Sequence, residues 1–539
     1  MSPHLRRLRL GSLALVGALA VSGCTSSAEE EGSSDNTSGG QPKSEIYTTG
    51  MVGVADGDTE PVEGGTLTVA EYSEIRTLDP TKSYANGAAG GSAMGAIYDT
   101  LVRYDHESQT FEPQLAESLT TDDNIVWTLA LRDGVEFADG TPLDAQSVVD
   151  SMKYYTDNFA YQALTLMANL KSSKVVDDRT VEFTLQREWA TFPNMLAGGP
   201  GMILAPAAYD DVFDFEPIGA GPFELETYAE GEELVLSARQ DYWGEGPYLD
   251  ELRFVWLGGD DAKLESLTSG GVDTAFMRGP GPVEQAIDEE FAGMMFATGL
   301  GTQIWINSRE GRPGEDPRVR RAVALAIDPE VYLQRVTDGA GVPTKEIFPD
   351  ASPWSTGVPP LETDPDAARA LLEEAKADGF DGTVRYLHGA DGPGTAGGVA
   401  VKAMLEDVGF TVENEALRSV SDQIQRLYID HDYDLAVAAL SIPDEDPYSR
   451  LIGALQSSSR QNTSGFSNFE MDALLADLQA AATPEEGIGT MTKIERLWHE
   501  KVPGVGLAAG GTFQAWNDNV HGMEPTSETM FLYDRAWVD

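Results

Sequence analysis

Six histidines, His4, His106, His388, His431, His499 and His521, are the side chains of this chain that titrate nearest neutral pH. No two stand four residues apart, so no helix face offers a pair of them to a metal ion, and no His-Glu-x-x-His pattern occurs. The chain also lacks a Gly-x-Ser-x-Gly nucleophile elbow. Its single cysteine, Cys24, leaves no second thiol for an internal disulfide or a redox pair. Carboxylates are too numerous, 89 Asp and Glu, for any one pair to stand out as an acid and its base. The chemistry to expect is therefore non-covalent recognition, with no cofactor and no bound metal.

Charge narrows the ligand class. Against those 89 acids stand 36 Lys and Arg, a formal net charge of −53, which argues against nucleic acid because phosphate contacts need clustered cations. Such acidity suits a solvated exterior; it can steer a cationic solute but does not mark its site. With 41% hydrophobic and 23% charged residues the composition is globular. The roughly 475 residues after Gly64 exceed one core and predict two or three lobes, at about 100–200 residues each.

Several elements could carry a binding site. The stretch 64–105 opens on a strand, with Leu67 and Val69 alternating with Thr66 and Thr68. A polar loop follows, with Leu78-Asp79-Pro80 and glycines at 87, 90 and 91, then a helix carrying Ala93, Ala96, Ile97 and Leu101. A helix start of this kind offers free N–H groups to a ligand, though no Lys-Ser/Thr follows as in a phosphate loop. Trp127, Leu129 and Leu131 predict a strand, Asp133-Gly134 a hairpin turn, and Val135 with Phe137 the returning strand. Asp144 caps a helix bearing Ala145, Val148, Val149, Met152 and Tyr155 on one face, and 180–186 is a further strand. Beyond 298–307 helices and strands alternate. Asp-Pro pairs at 316, 328 and 364 start helices; strands fit 383–387, 410–417 and 433–440, and helices 398–408, 469–480 and 488–500.

The N-terminus sets the compartment. Arg6, Arg7 and Arg9 precede an apolar run ending Val21-Ser22-Gly23-Cys24, too short to span a bilayer and suited to a signal peptide over 1–23. The residues before Cys24 resemble a bacterial lipobox, which implies cleavage there and lipidation of Cys24. Residues 24–63, rich in Ser, Gly and acids, read as a flexible linker.

The texts GGTLTVAE, LDP, IYDTLVRYD, NIVWTLALRDGVEFADGTPLDAQSVVDSMKYY, GAGPF and NTSGFSN resemble the family 5 extracellular solute-binding proteins, the peptide-, dipeptide- and nickel-type receptors of ABC importers. The resemblance covers nearly all of 64–539. It implies an α/β, two-lobed periplasmic-binding-protein-like fold (class II, the large peptide-binding type) with an extra subdomain in the first lobe. Its domains would be a first lobe over 64–302 with a subdomain at about 98–217, a second over 303–507, and a return to the first over 508–539. The chain would cross between lobes near 300 and 507, forming a hinge. It further implies a monomeric, lipid-anchored protein on the outer face of the cytoplasmic membrane that hands its ligand to permease subunits driven by cytoplasmic ATPases.

Matching segments of the family line the interlobe cleft. They bring forward Tyr84 and Asn86 from the first loop, Gln303 at entry to the second lobe, His388 and Asp391 after one strand, Arg418 at the end of another, and Asp444 in LSIPDEDP. Peptide-binding members carry an Asp for the peptide amine at the place of Pro443, so amine anchoring is weakened here unless Asp444 replaces it. Asp446 before Pro447 reads as a helix cap. The expected ligand is an oligopeptide; the alternatives are a sugar-derived or other organic solute, or a surface peptide sensor without transport.

Overall fold

The computed structural model describes residues 46–54, 60–210 and 215–539. The expected signal peptide, Cys24 and most of the expected linker lie outside them. Among the described residues no helix is long and apolar enough to cross a membrane.

One twelve-stranded sheet runs through the molecule. Its spine is two long antiparallel strands, Ala292–Ile306 and Gly504–Trp516. On one flank lie Thr274–Met277, Thr66–Glu71, Glu251–Trp256, Glu233–Ala238 and Phe223–Ala229, the sheet of the first lobe. On the other lie Leu435–Ala438, Thr383–Gly389 and Thr411–Leu417, mutually parallel and flanked by helices, the sheet of the second. Parallel neighbours buried on both faces favour apolar runs, and Val384, Tyr386 and Leu387 are all buried. The register of the long pair shifts twice, between Thr298 and Thr302 and between Thr302 and Gln303. Leu300 there has φ +45°, a conformation rare for a branched side chain. Only glycine fits at the break: a Cβ on Gly301 would meet the Gly510 nitrogen at 2.1 Å.

Helix starts follow their caps. Asp316, Asp328, Asp364 and Asp446 each precede Pro and accept a hydrogen bond from a first-turn backbone N–H. Asp144 and Ser147 form a reciprocal capping box at Ala145–Asp157, which packs against the four-stranded sheet of the subdomain.

Two expectations change. The strand Val126–Leu131 is already paired on both edges, with Ala116–Thr121 and Thr180–Leu185, so Val135 and Phe137 cannot close a hairpin on it. Their side chains are buried from a loop that folds back on itself at the Glu136–Pro142 bridge, with Phe137 N donating to Thr141 O and Leu143 N to Val135 O. The linker expected over 24–63 is folded in part. Gly50–Val52 pairs with Gly293–Met295 of the long strand, and Tyr47, 3% exposed, packs beside Met295 and Phe513. Residues 46–54 are the apolar portion of that stretch, with Ile46 and Val52 packed beside Tyr47, and an available strand edge lets them order.

Candidate functional site

The loop after Thr66–Glu71 brings Tyr84 to the middle of the molecule. Asn86 N donates to Tyr84 O and Gly91 N to Asn86 O, folding the loop tightly. It lies so close to the C-terminal segment that a Cβ on Gly87 would sit 2.1 Å from the Thr529 carbonyl oxygen. Around Tyr84 two chambers of 390 and 210 Å³ share Tyr84, Ala439, Leu440, Arg450 and Glu528 as wall residues. Their walls come from both lobes: Tyr84 and Glu528 from the first, residues 439–463 from the stretch after Leu435–Ala438 of the second.

Aromatic rings dominate the larger chamber, with Tyr84, Tyr161, Trp305 and Tyr428 in its wall. Tyr84 stacks on Tyr161 with centroids 3.9 Å apart, and the Arg450 guanidinium lies 4.8 Å from the Tyr84 centroid. Arg450 Nη2 donates to Glu528 Oε2 at 2.8 Å and Nη1 to Tyr161 Oη at 3.2 Å. Glu528 also accepts from the Tyr84 hydroxyl and from Gln162 Nε2. Burial opposes the Arg450 charge, yet Glu528 beside it holds its pKa above the ordinary value. Glu445, whose Oε1 accepts from Glu528 N, has no ion pair among the described residues; burial and then the charge of Glu528 push its carboxyl up to about 8.

The expected site residues divide. Tyr84 lines both chambers, and Asn86 lines the smaller, its Oδ1 buried without a partner. Gln303 is fully buried in the long strand with neither amide atom bonded; it shares a sheet face with Trp305 but lies outside both walls. His388 is buried, its Nδ1 against Gly389 O at 2.8 Å, away from the chambers. Asp391 caps helix Gly392–Asp407, accepting from Gly394 N, which starts that helix six residues before the expected 398. Arg418 is exposed at the end of its strand. Asp444 is occupied: its carboxylate accepts from Thr49 Oγ1 at 2.8 Å and Ser352 Oγ at 2.9 Å, and its carbonyl from Trp354 Nε1. The structural task that the sequence did not reveal is thus to tie the N-terminal segment to the second lobe. Asp446 caps Pro447–Leu455 and also accepts from Thr191 and Asn194, closing one contact between lobe and subdomain.

Sequence reasoning passed over Tyr161, Arg278, Arg450 and Glu528. Arg450 carried a faint signal as the charged member of an otherwise apolar helix start, Pro447–Leu455. Glu528 carried none, since it sits in a tight turn at φ +60° without periodic neighbours.

Comparison with known proteins agrees with this architecture. Residues 110–462 match the family described as bacterial extracellular solute-binding proteins, family 5 Middle. The glutathione-binding protein GsiB of Escherichia coli (strain K12) is 29% identical over 333 residues, 60% of this chain and 64% of its own length. The chain thus matches a little under two thirds of that relative. Among solved structures, DppA of Helicobacter pylori in complex with the peptide STSA superposes with a TM-score of 0.74 at 22% identity, over 88% of this chain and 98% of its own. The oligopeptide-binding protein AppA of Bacillus subtilis, in complex with a nonapeptide, gives 0.74 at 21%, over 89% and 100%. The Escherichia coli murein tripeptide binding protein MppA gives 0.75 at 20%, over 89% and 99%. With the family profile spanning most of the chain and the fold shared throughout, this protein belongs to the bacterial extracellular solute-binding proteins, family 5, a family of binding proteins rather than enzymes.

Proposed function

We propose that this protein is the capture component of an ABC importer, taking an oligopeptide or a similar small organic solute into the chambers around Tyr84 and delivering it to a permease. The observation that carries this reading is the composition of the walls. Residues 84, 161, 450 and 528, remote in sequence, converge on one aromatic cavity whose sides belong to two lobes. The larger chamber has a volume in the range of small-molecule sites, about 300–1,000 Å³. The register break in the long strands, next to the cavity, is where backbone rotation could be absorbed as the lobes open and close. Relatives with this fold include proteins described with peptides, glutathione or agropinic acid, so the fold admits more than one ligand class. The sequence before Cys24 supports a lipid anchor on the outer face of the membrane; Cys24→Ala should then release the protein to the medium.

Mass spectrometry of small molecules that co-purify with the native protein, followed by solution scattering with and without the compound found, tests the reading. A retained compound that reduces the radius of gyration supports it. A tightly bound compound that leaves the scattering curve unchanged argues against a closing receptor.

A further inference from the structure

The smaller chamber has an unusual charge balance for so acidic a protein. Its wall holds two guanidiniums, Arg278 and Arg450, against one carboxylate, Glu528. Arg450 Nη2 and Glu528 Oε2 pair at 2.8 Å, although Arg450 Nε is buried without a partner. Arg278 follows strand Thr274–Met277, and among the described residues no carboxylate lies within ion-pair distance of its guanidinium. Its contacts are Ser441 Oγ at 3.4 Å, long for a hydrogen bond, and the face of Tyr72, 5.3 Å from the ring centroid. The acid that bonds its backbone, Asp260, is engaged elsewhere. Asp260 holds Lys263 at 2.9 Å and accepts from the Arg278 and Gly279 backbone N–H groups.

Around Arg278 the wall supplies hydroxyls, from Thr298, Ser441, Thr512 and Thr529. Asn86, in the same wall, has its Oδ1 buried and without a partner. A half-buried guanidinium facing hydroxyls and no counter-ion is matched by an anion that can accept from the planar fork. Pro443 lines this chamber too and adds no charge to it. The chamber therefore offers a cation, while its one carboxylate, Glu528, is already engaged by Arg450.

We propose that this chamber is an anion subsite in which Arg278 receives a carboxylate of the captured solute, the hydroxyls surround it, and the solute's body extends past Arg450 into the aromatic chamber. The inference rests on the receptor reading above and adds the ligand's polarity: it is held by its acid, not by an amine. Asn86 Oδ1 would accept from an N–H or O–H group next to that acid. Phosphate shares the anion chemistry, and the test below separates the two.

Calorimetric titration with four probes of one aromatic body decides: hydrocinnamate, hydrocinnamamide, phenethylammonium and phenyl phosphate. Hydrocinnamate should bind at least about tenfold more tightly than the amide, as expected for a charge-assisted hydrogen bond. Arg278→Gln should abolish that preference and Arg278→Lys should restore part of it, with melting temperatures close to the wild type because Arg278 has no ion pair to lose. Tighter binding of phenyl phosphate would overturn the carboxylate assignment in favour of phosphate. Equal binding of the amide, preference for the ammonium, a preference unchanged in Arg278→Gln, or no probe bound at millimolar concentration would each overturn the subsite. The receptor reading fails separately. A co-purified ligand with no acidic group that still closes the lobes would leave that reading standing and refute this one.

Discussion

Arg450 and Glu528, 78 residues apart, meet across the aromatic cavity with Nη2 and Oε2 separated by 2.8 Å. The side chains are only 15% and 4% exposed, so each charge depends on the other for what water would otherwise supply. The pair links the helix Pro447–Leu455 of the second lobe to the C-terminal turn of the first.

Removing one member should cost more than removing both. Arg450→Met leaves a buried carboxylate and should lower unfolding free energy by about 3–5 kcal/mol. The double variant Arg450→Met/Glu528→Gln should lose less than the sum of the single losses, because the two sites share one interaction. Denaturant unfolding of the four proteins measures this; strict additivity would mean the pair is solvated in solution.

Glu445 predicts a pH dependence of stability. Its carboxyl is raised to about 8 in the fold by burial and then by the Glu528 charge. A raised folded value means that the folded state holds the proton more firmly. The contribution is complete below the unfolded value near 4.5 and is lost as pH rises through about 8. At most about 5 kcal/mol is involved. Glu71, raised to about 8, and Asp99, raised to about 7, act in the same direction. Melting temperature should fall from pH 5 to pH 8, and Glu445→Gln should flatten the fall. A variant with the wild-type slope would show that Glu445 titrates normally.

Asp444 should matter for the N-terminal segment. Thr49 Oγ1 donates to Asp444 and accepts from Ala297 N at 3.1 Å, so one hydroxyl joins three parts of the chain. Thr49→Val should cost about 1–2 kcal/mol, the effect of breaking part-buried hydrogen bonds to a charged group. It should also speed amide exchange at 50–52, where the short strand pairs with the long one. Unchanged exchange there would show that Tyr47 alone holds the segment.

Gln303 gives a test with two readouts. Both amide atoms are buried and unbonded, and such groups cost about 1–3 kcal/mol each in desolvation. Gln303→Leu should therefore raise stability in denaturant by about 1 kcal/mol or more. If solute binding weakens while stability rises, Gln303 turns toward the ligand on closure.

Much of the architecture was legible because its signals are local. Period-two strands such as Thr66–Glu71 and Asp-Pro helix starts are each decided within a few residues, and the structure has them where the pattern predicts. The hairpin after Asp133-Gly134 failed because strand pairing is settled by partners 50 residues away, at Thr180–Leu185. The site was less legible still. Tyr84 and Asn86 lie in a loop with a recognisable context, whereas Arg278, Arg450 and Glu528 come from distant parts of the chain and meet only in the folded wall. Asp444 shows the converse: an acid in a promising loop, occupied by hydroxyls from Thr49 and Ser352.

The position of residues 46–52 has a mechanical consequence. The segment lies along the long strand at Gly293–Met295, and Thr49 bonds to Ala297, one residue before the register break begins. The described chain thus joins the fold beside the register break of the two long strands. Because Thr49 also bonds to Asp444, the segment is fastened on both sides of that break, so any change of angle there must carry the segment along or part the Thr49–Asp444 bond.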